Sequence, residues 1–260
     1  VTVSHLRFGP RPIRSAYLIQ RAPFVACHHP TILERHDVLE HAMPGATFLL
    51  NAPWTASEAW ARLPREVQSE IVEKKLRFFV IDANTVAAQA GLGRHVGTIL
   101  QACFFALTKV LPMDEAMDRM RAAIRKSYGK RGAAVVAKND AAIERAVAAM
   151  AEVPVPASPT ASRMRPPAVS PTAPDFVQRV TAAMLAGHGD LLPVSAFPVD
   201  GTWPTGTSKW EKRSIALDLP QWDASLCIQC NKCALVCPHA AIRTIVCDPK
   251  DAANFTCSAQ

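Results

Sequence analysis

Four cysteines, Cys227, Cys230, Cys233 and Cys237, fall within eleven residues, and Pro238 follows directly. The spacing is C-x₂-C-x₂-C-x₃-C-P. Thiolates are soft donors that suit iron–sulfur clusters, and three cysteines at x₂ spacing can wrap one cubane within a tight loop. In two-cluster bacterial ferredoxins the fourth cysteine of this run ligates the other cluster. Cys227, Cys230 and Cys233 are therefore expected to hold one [4Fe–4S] cluster and Cys237 to point to a second. No further C-x₂-C-x₂-C run occurs before Gln260, so the remaining ligands are expected outside this chain. Cys247 and Cys257 lack the spacing and read as free thiols, with completion of the ligand set in the isolated piece as the alternative. The alternative is a zinc knuckle, but zinc sites usually pair two C-x₂₋₄-C elements across a longer stretch or recruit histidine. His239 adjoins the run and reads as a turn residue. The chemistry of such a module is one-electron transfer.

Other chemistry-bearing residues are sparser. Cys27, His28 and His29 are consecutive, yet adjacent histidines rarely reach one ion together, so no metal site is expected there. Cys103, in an apolar helical stretch, reads as a buried core thiol. No nucleophile–base pair and no pair of acid–base carboxylates stands out.

The elements before the cysteines alternate in type. Phe24 to Cys27 reads as a buried strand, Thr31 to Met43 as a helix with Gly45 beyond its end, and Thr47 to Leu50 as the next strand. Thr55 and Glu58 have capping-box spacing, and Pro64 is expected to end one helix and open another running to about Lys75. Leu76 to Ile81 is a third strand, closed by Asp82. Strand–helix alternation of this kind predicts an α/β domain with a parallel sheet and flanking helices. The apolar stretch Ile99 to Leu111 reads as a buried helix. Two more helices follow, over about 113–128, with Gly129 as its stop, and over about 133–150.

Residues 151–175 contain seven prolines, which predicts a semi-extended linker with little capacity for a core. A connecting segment, 176–216, is rich in turn residues around Asp200-Gly201. Residues 217–260 are expected to be the start of a ferredoxin-like α+β iron–sulfur module.

Composition narrows the class. The 260 residues are 49% hydrophobic, enough for a packed core, and no window reaches the unbroken apolar length of a membrane span. Net charge is +7 and the isoelectric point about 9.1, which favours an anionic partner such as a phosphorylated cofactor or an acidic electron carrier. No nucleic-acid motif accompanies the charge. Eight cysteines, half of them clustered, suit a reducing cytoplasm better than disulfides. The chain opens without signal-peptide features, and both of its ends read as cuts within a longer polypeptide.

Longer strings carry a resemblance. Trp222 to Arg243, Leu192 to Thr207, Trp210 to Arg213 and Thr2 to Pro10 together resemble the long single-chain pyruvate:ferredoxin (flavodoxin) oxidoreductases. The resemblance implies a thiamine diphosphate and Mg²⁺ enzyme, usually a homodimer. It would oxidise pyruvate with coenzyme A to acetyl-CoA and carbon dioxide, passing electrons through [4Fe–4S] clusters to ferredoxin or flavodoxin. Residues 1–150 would be the gamma-like domain associated with coenzyme A, lacking its first strand and Gly-rich opening. The thiamine-binding domains would lie outside, so the piece alone is expected to be inactive. The sequence departs from the family pattern at Thr85, where lysine is common, and in the turn Gly91 to Gly97. Ser4, His5, Arg7 and Asn51 are the expected coenzyme A contacts, with Arg94 and His95 next. For each, turn formation or domain packing is the alternative role.

Overall fold

The computed structural model describes residues 2–14, 16–93, 95–212, 220–246, 248 and 250. These divide into two compact units, 1–211 and 212–260. Arg94, Cys247 and Cys257 lie outside the described residues.

The first unit is built on three parallel strands, β1 (Ala22–Cys27), β2 (Ala42–Asn51) and β3 (Arg77–Ile81), adjacent in chain order. Between β2 and β3 run α1 (Ala56–Arg62) and α2 (Arg65–Glu73). After β3 come α3 (Ala83–Gln89), α4 (Gly97–Thr108), α5 (Met113–Tyr128) and α6 (Ala133–Ala149). A two-residue strand, β4 (Ala151–Glu152), pairs antiparallel with β3.

Side chains on successive strand residues point to opposite faces, and the apolar set of β2 and β3 divides accordingly. Phe48, Leu50, Phe78 and Val80 join Trp60, Val67 and Ile71 in a core beneath α1 and α2. Leu49, Phe79 and Ile81 join Ile99, Cys103, Met120 and Ile143 in a second core beneath α3–α6. The Phe48 and Phe78 rings stack across the strands with centroids 5.2 Å apart. Phe48 to Asn51 are all buried, as expected for a central parallel strand covered on both faces. The parallel sheet with flanking helices is thus the architecture expected from sequence.

Local signals also hold in detail. Thr55 and Glu58 form the capping box of α1, with the Thr55 N–H donating to Glu58 Oε2 at 3.1 Å. The thiols of Cys27 and Cys103 are buried, and burial pushes them up to about 11 and about 12. At Gly129 the backbone remains right-handed and a 3₁₀ turn carries on to Arg131; the left-handed residue is Gly132, φ 102°.

Two expectations are corrected. The helix over Thr31–Met43 is absent: only Pro30–Glu34 forms a 3₁₀ turn, capped by His29, and Ala42 already begins β2. Carbonyls that an α-helix would pair internally are taken by distant side chains instead. Arg165 Nε donates to Leu33 O at 3.0 Å, and Lys74 Nζ donates to Leu39 O at 2.6 Å. Leu33 and Leu39 reach the core at 1% and 0% exposure without helical spacing.

The proline-rich stretch, in turn, is extended but contributes to cores. The Val153 N–H donates to Phe78 O at 2.8 Å, and the Val153 side chain is buried in the first core. Val169 and Ala173 form a small cluster with Val177, against which Trp210 packs. Residues Val177–Thr181 are wound as a π-helix that leads into α7 (Ala182–Leu185).

The second unit contains one helix among its described residues, α8 (Lys232–Val236).

Candidate metal centre and coenzyme edge

The x₂ gaps of the cysteine run close through left-handed backbone. Gln229, between Cys227 and Cys230, has φ 57°, and Asn231, between Cys230 and Cys233, has φ 58°. Neither is glycine, and a left-handed non-glycine residue costs about 1–2 kcal/mol, least for asparagine. Such turns reverse the chain within each gap. Asn231 also precedes α8, which carries Cys233. Cys227, Cys230 and Cys233 are exposed and Cys237 is half-buried.

A third left-handed residue, Ala240 (φ 49°), follows Cys237-Pro238-His239 and turns backbone N–H groups toward the sulfur. The Ala241 N–H donates to Cys237 Sγ at 3.3 Å. The N–H groups of Ile242, His239 and Ala241 hold the Cys237 thiol below its ordinary value. N–H donors aimed at sulfur favour the thiolate, the form that ligates metal. The donor set of four thiols, short gaps and N–H···S contact therefore fits an iron–sulfur cluster in kind. The four side chains are not drawn together: among the described residues no three His, Cys, Asp or Glu groups converge to hold an ion. Cys27 and His29 are engaged locally, the thiol donating to His29 O and the His29 ring accepting from the Thr31 N–H.

In open α/β sheets, ligands bind beyond the carboxyl ends of the strands. Here that edge is formed by Cys27–His29, Asn51 and Asp82. Asn51 is 4% exposed and ties the edge together. Its Nδ2 donates to His28 O at 3.0 Å, and its Oδ1 accepts from the Ala83 N–H at 2.9 Å. Asp82, read from sequence only as the close of a strand, is the N-cap of α3 and accepts from the Thr85 N–H at 3.0 Å and the Thr85 hydroxyl at 2.6 Å. Thr85, the departure from the family's lysine, is thus part of a helix cap. An aspartate immediately after a strand and before a helical run was the available signal for it. In the Gly-rich turn, Gly91 and Gly93 are left-handed and His95 is exposed.

The other expected contacts lie elsewhere. Ser4 is exposed, and His5 and Arg7 are half-buried on an extended arm ahead of β1. His5 Nδ1 accepts from the Ile19 N–H at 3.1 Å, and the Arg7 guanidinium bonds Tyr17 O and covers the Tyr17 ring at 4.9 Å. The His5 ring is 6.4 Å from that of His41, next to the amino end of β2, whereas Asn51 closes its carboxyl end. The structure therefore places His5 and Asn51 at opposite ends of one strand.

Comparison with known proteins assigns these parts. A family profile described as Pyruvate ferredoxin/flavodoxin oxidoreductase matches residues 1–149, more than half the chain. A 4Fe-4S binding domain matches 219–242, and a domain of unknown function, EKR, matches 162–216. The pyruvate-flavodoxin oxidoreductase of Rhodospirillum rubrum is 54% identical over 94% of this chain, which covers 20% of that protein. A probable pyruvate-flavodoxin oxidoreductase of Escherichia coli is 49% identical over 99% of this chain and 22% of its own length. The pyruvate:ferredoxin oxidoreductase of Moorella thermoacetica is 46% identical over 98% and 22%. The chain thus spans about a fifth of the length of the curated relatives it matches. By its matched first domain and the iron–sulfur run that follows in the same order, the chain belongs to the pyruvate ferredoxin/flavodoxin oxidoreductase family.

Proposed function

We propose that this chain is the coenzyme-associated and electron-exit portion of a pyruvate:ferredoxin or pyruvate:flavodoxin oxidoreductase. The observation that carries the reading is collinearity: one chain aligns at 46–54% identity with such enzymes through both its α/β domain and its cysteine run. In the reaction, pyruvate and coenzyme A give acetyl-CoA, carbon dioxide, a proton and a pair of electrons. Thiamine diphosphate and Mg²⁺, bound by other parts of the full-length homodimer, would supply the carbanion chemistry. A [4Fe–4S] cluster would carry the electrons onward singly.

Within this portion, Cys227, Cys230 and Cys233 would ligate one cluster and Cys237 the neighbouring one. The Ala241 N–H would remain on the Cys237 sulfur and favour its thiolate. Coenzyme A would be met at the carboxyl edge marked by Asn51. Ser4, His5 and Arg7 would offer phosphate contacts on the separate arm. The clustered, unpaired thiols support a cytoplasmic setting, and among the described residues no helix is long and apolar enough to cross a membrane. The test is pyruvate- and coenzyme A-dependent reduction of flavodoxin or ferredoxin by the full-length protein, with Cys230→Ser as the comparison. Acetyl-CoA formation coupled to acceptor reduction in the parent, and loss of acceptor reduction in the variant, is the expected result. Undiminished acceptor reduction by Cys230→Ser would remove the electron-exit role.

A further inference from the structure

The β1–β2 crossover, residues 28–41, is irregular, and Leu33, Glu34 and Asp37 find partners on a segment more than a hundred residues away. Arg165 sits at the centre of these contacts. Its side chain is 16% exposed. Its backbone N–H donates to both carboxylate oxygens of Glu66 at 3.1 Å. Its Nε donates to Leu33 O at 3.0 Å, and its Nη2 lies 3.7 Å from Asp37 and 3.6 Å from Glu70.

Two residues earlier, Arg163 pairs with Glu34, donates to Arg62 O at 2.6 Å, and accepts the Arg65 N–H at 2.8 Å. Lys74 completes the group, bonding Glu70 at 3.0 Å and the carbonyls of Leu39 and Glu40. Upstream, the Thr160 and Ala161 N–H groups both donate to Gln68 Oε1 at 2.8 Å.

We propose that Arg165 is the pin of an ionic clip: the start of the region of unknown function holds the β1–β2 crossover in its non-helical form, so strap and crossover open as one unit. The crossover has given up helical hydrogen bonds, and an unpaired buried carbonyl or carboxylate is costly. With Arg165 removed, Asp37 and Glu70 face each other across a partly buried gap. Burial, and then the hydrogen bond with Asp37, already push the Glu70 carboxyl up. Removing a partly buried cation from between two carboxylates leaves their charges uncompensated. The guanidinium donates to the Leu33 carbonyl through Nε while Nη2, which makes no hydrogen bond, sets its charge between the two carboxylates; a compact ammonium cannot do both. The clip does not depend on which reaction the full-length protein performs.

Hydrogen exchange by mass spectrometry on the full chain tests it. Arg165→Met is expected to raise exchange at least about 100-fold in both 33–41 and 153–165, while β3 and α4–α6 keep their protection. Arg165→Lys, which retains the charge, covers the case in which the methionine variant does not fold. It is expected to loosen the same two segments together by about 10-fold. Arg179→Met, which breaks the exposed pair with Asp175, is expected to change neither segment. Loosening of one segment without the other, or wild-type exchange in Arg165→Met, would overturn the proposal.

Discussion

Replacing Asn51 tests whether the carboxyl edge is built as described. Its amide is used in both directions, donating to the carbonyl that follows β1 and accepting from the first N–H of α3. Asn51→Leu keeps the volume and removes both bonds, leaving His28 O and the Ala83 N–H without these partners. The orphaned Ala83 N–H is buried and costs about 1–3 kcal/mol, while His28 is exposed and its carbonyl adds less, so a loss of roughly 1–3 kcal/mol is expected. Asn51→Asp separates the two halves. It retains the acceptor for Ala83 but sets a carboxylate oxygen against His28 O.

The aspartate variant is expected to fall between wild type and leucine at neutral pH. Protonation restores a donor toward His28 O, raising the folded-state pKa. The variant should therefore recover stability in acid and lose it as pH rises through that value. Urea unfolding followed by tryptophan fluorescence measures both, since Trp54 and Trp60 border the adjoining core. An Asn51→Leu protein within about 0.5 kcal/mol of wild type would refute the structural role, since surface substitutions away from such features fall in that range.

Gln68 is fully buried and bonds Trp60 O at 2.7 Å as well as the strap N–H groups. Gln68→Leu is expected to cost roughly 3 kcal/mol or more in the same assay, and retention of full stability would contradict the strap's attachment. In cluster-free protein at pH 8, peptide mapping after brief alkylation is expected to find Cys227, Cys230, Cys233 and Cys237 labelled and Cys27 and Cys103 intact. The two buried thiols are acids whose folded values, about 11 and about 12, lie above the ordinary 9.0. Their neutral forms favour the fold below pH 9. That contribution is lost as pH rises from 9 toward 12, so Cys103→Ala is expected to flatten the alkaline limb of the stability profile.

Much of this was legible in the sequence because the signals were local. The continuous apolar runs of β2 and β3, the Thr55–Glu58 box and the helical stretch of α5 each follow from residues close together in the chain. The cysteine run was legible for the same reason, since its ligation chemistry is written in spacing. What was not legible depended on distant partners. Residues 31–43 have helical composition, but Arg165 and Lys74 take the carbonyls, and no local pattern announces that. The proline-rich stretch reads as a linker by composition. Its backbone N–H groups nonetheless find Gln68 and Glu66, nearly a hundred residues back. Strand ends could also be located from sequence, but which end of the sheet each occupies could not. His5 and Asn51 therefore fell into one group although they mark opposite ends of β2.

The central claim is that the cysteine run holds an iron–sulfur cluster. Iron, acid-labile sulfide and zinc, measured per chain after anaerobic reconstitution, test it most directly. The account predicts near-equal iron and sulfide, a brown protein and no zinc, with both elements lost in Cys230→Ser. Stoichiometric zinc without sulfide would contradict it.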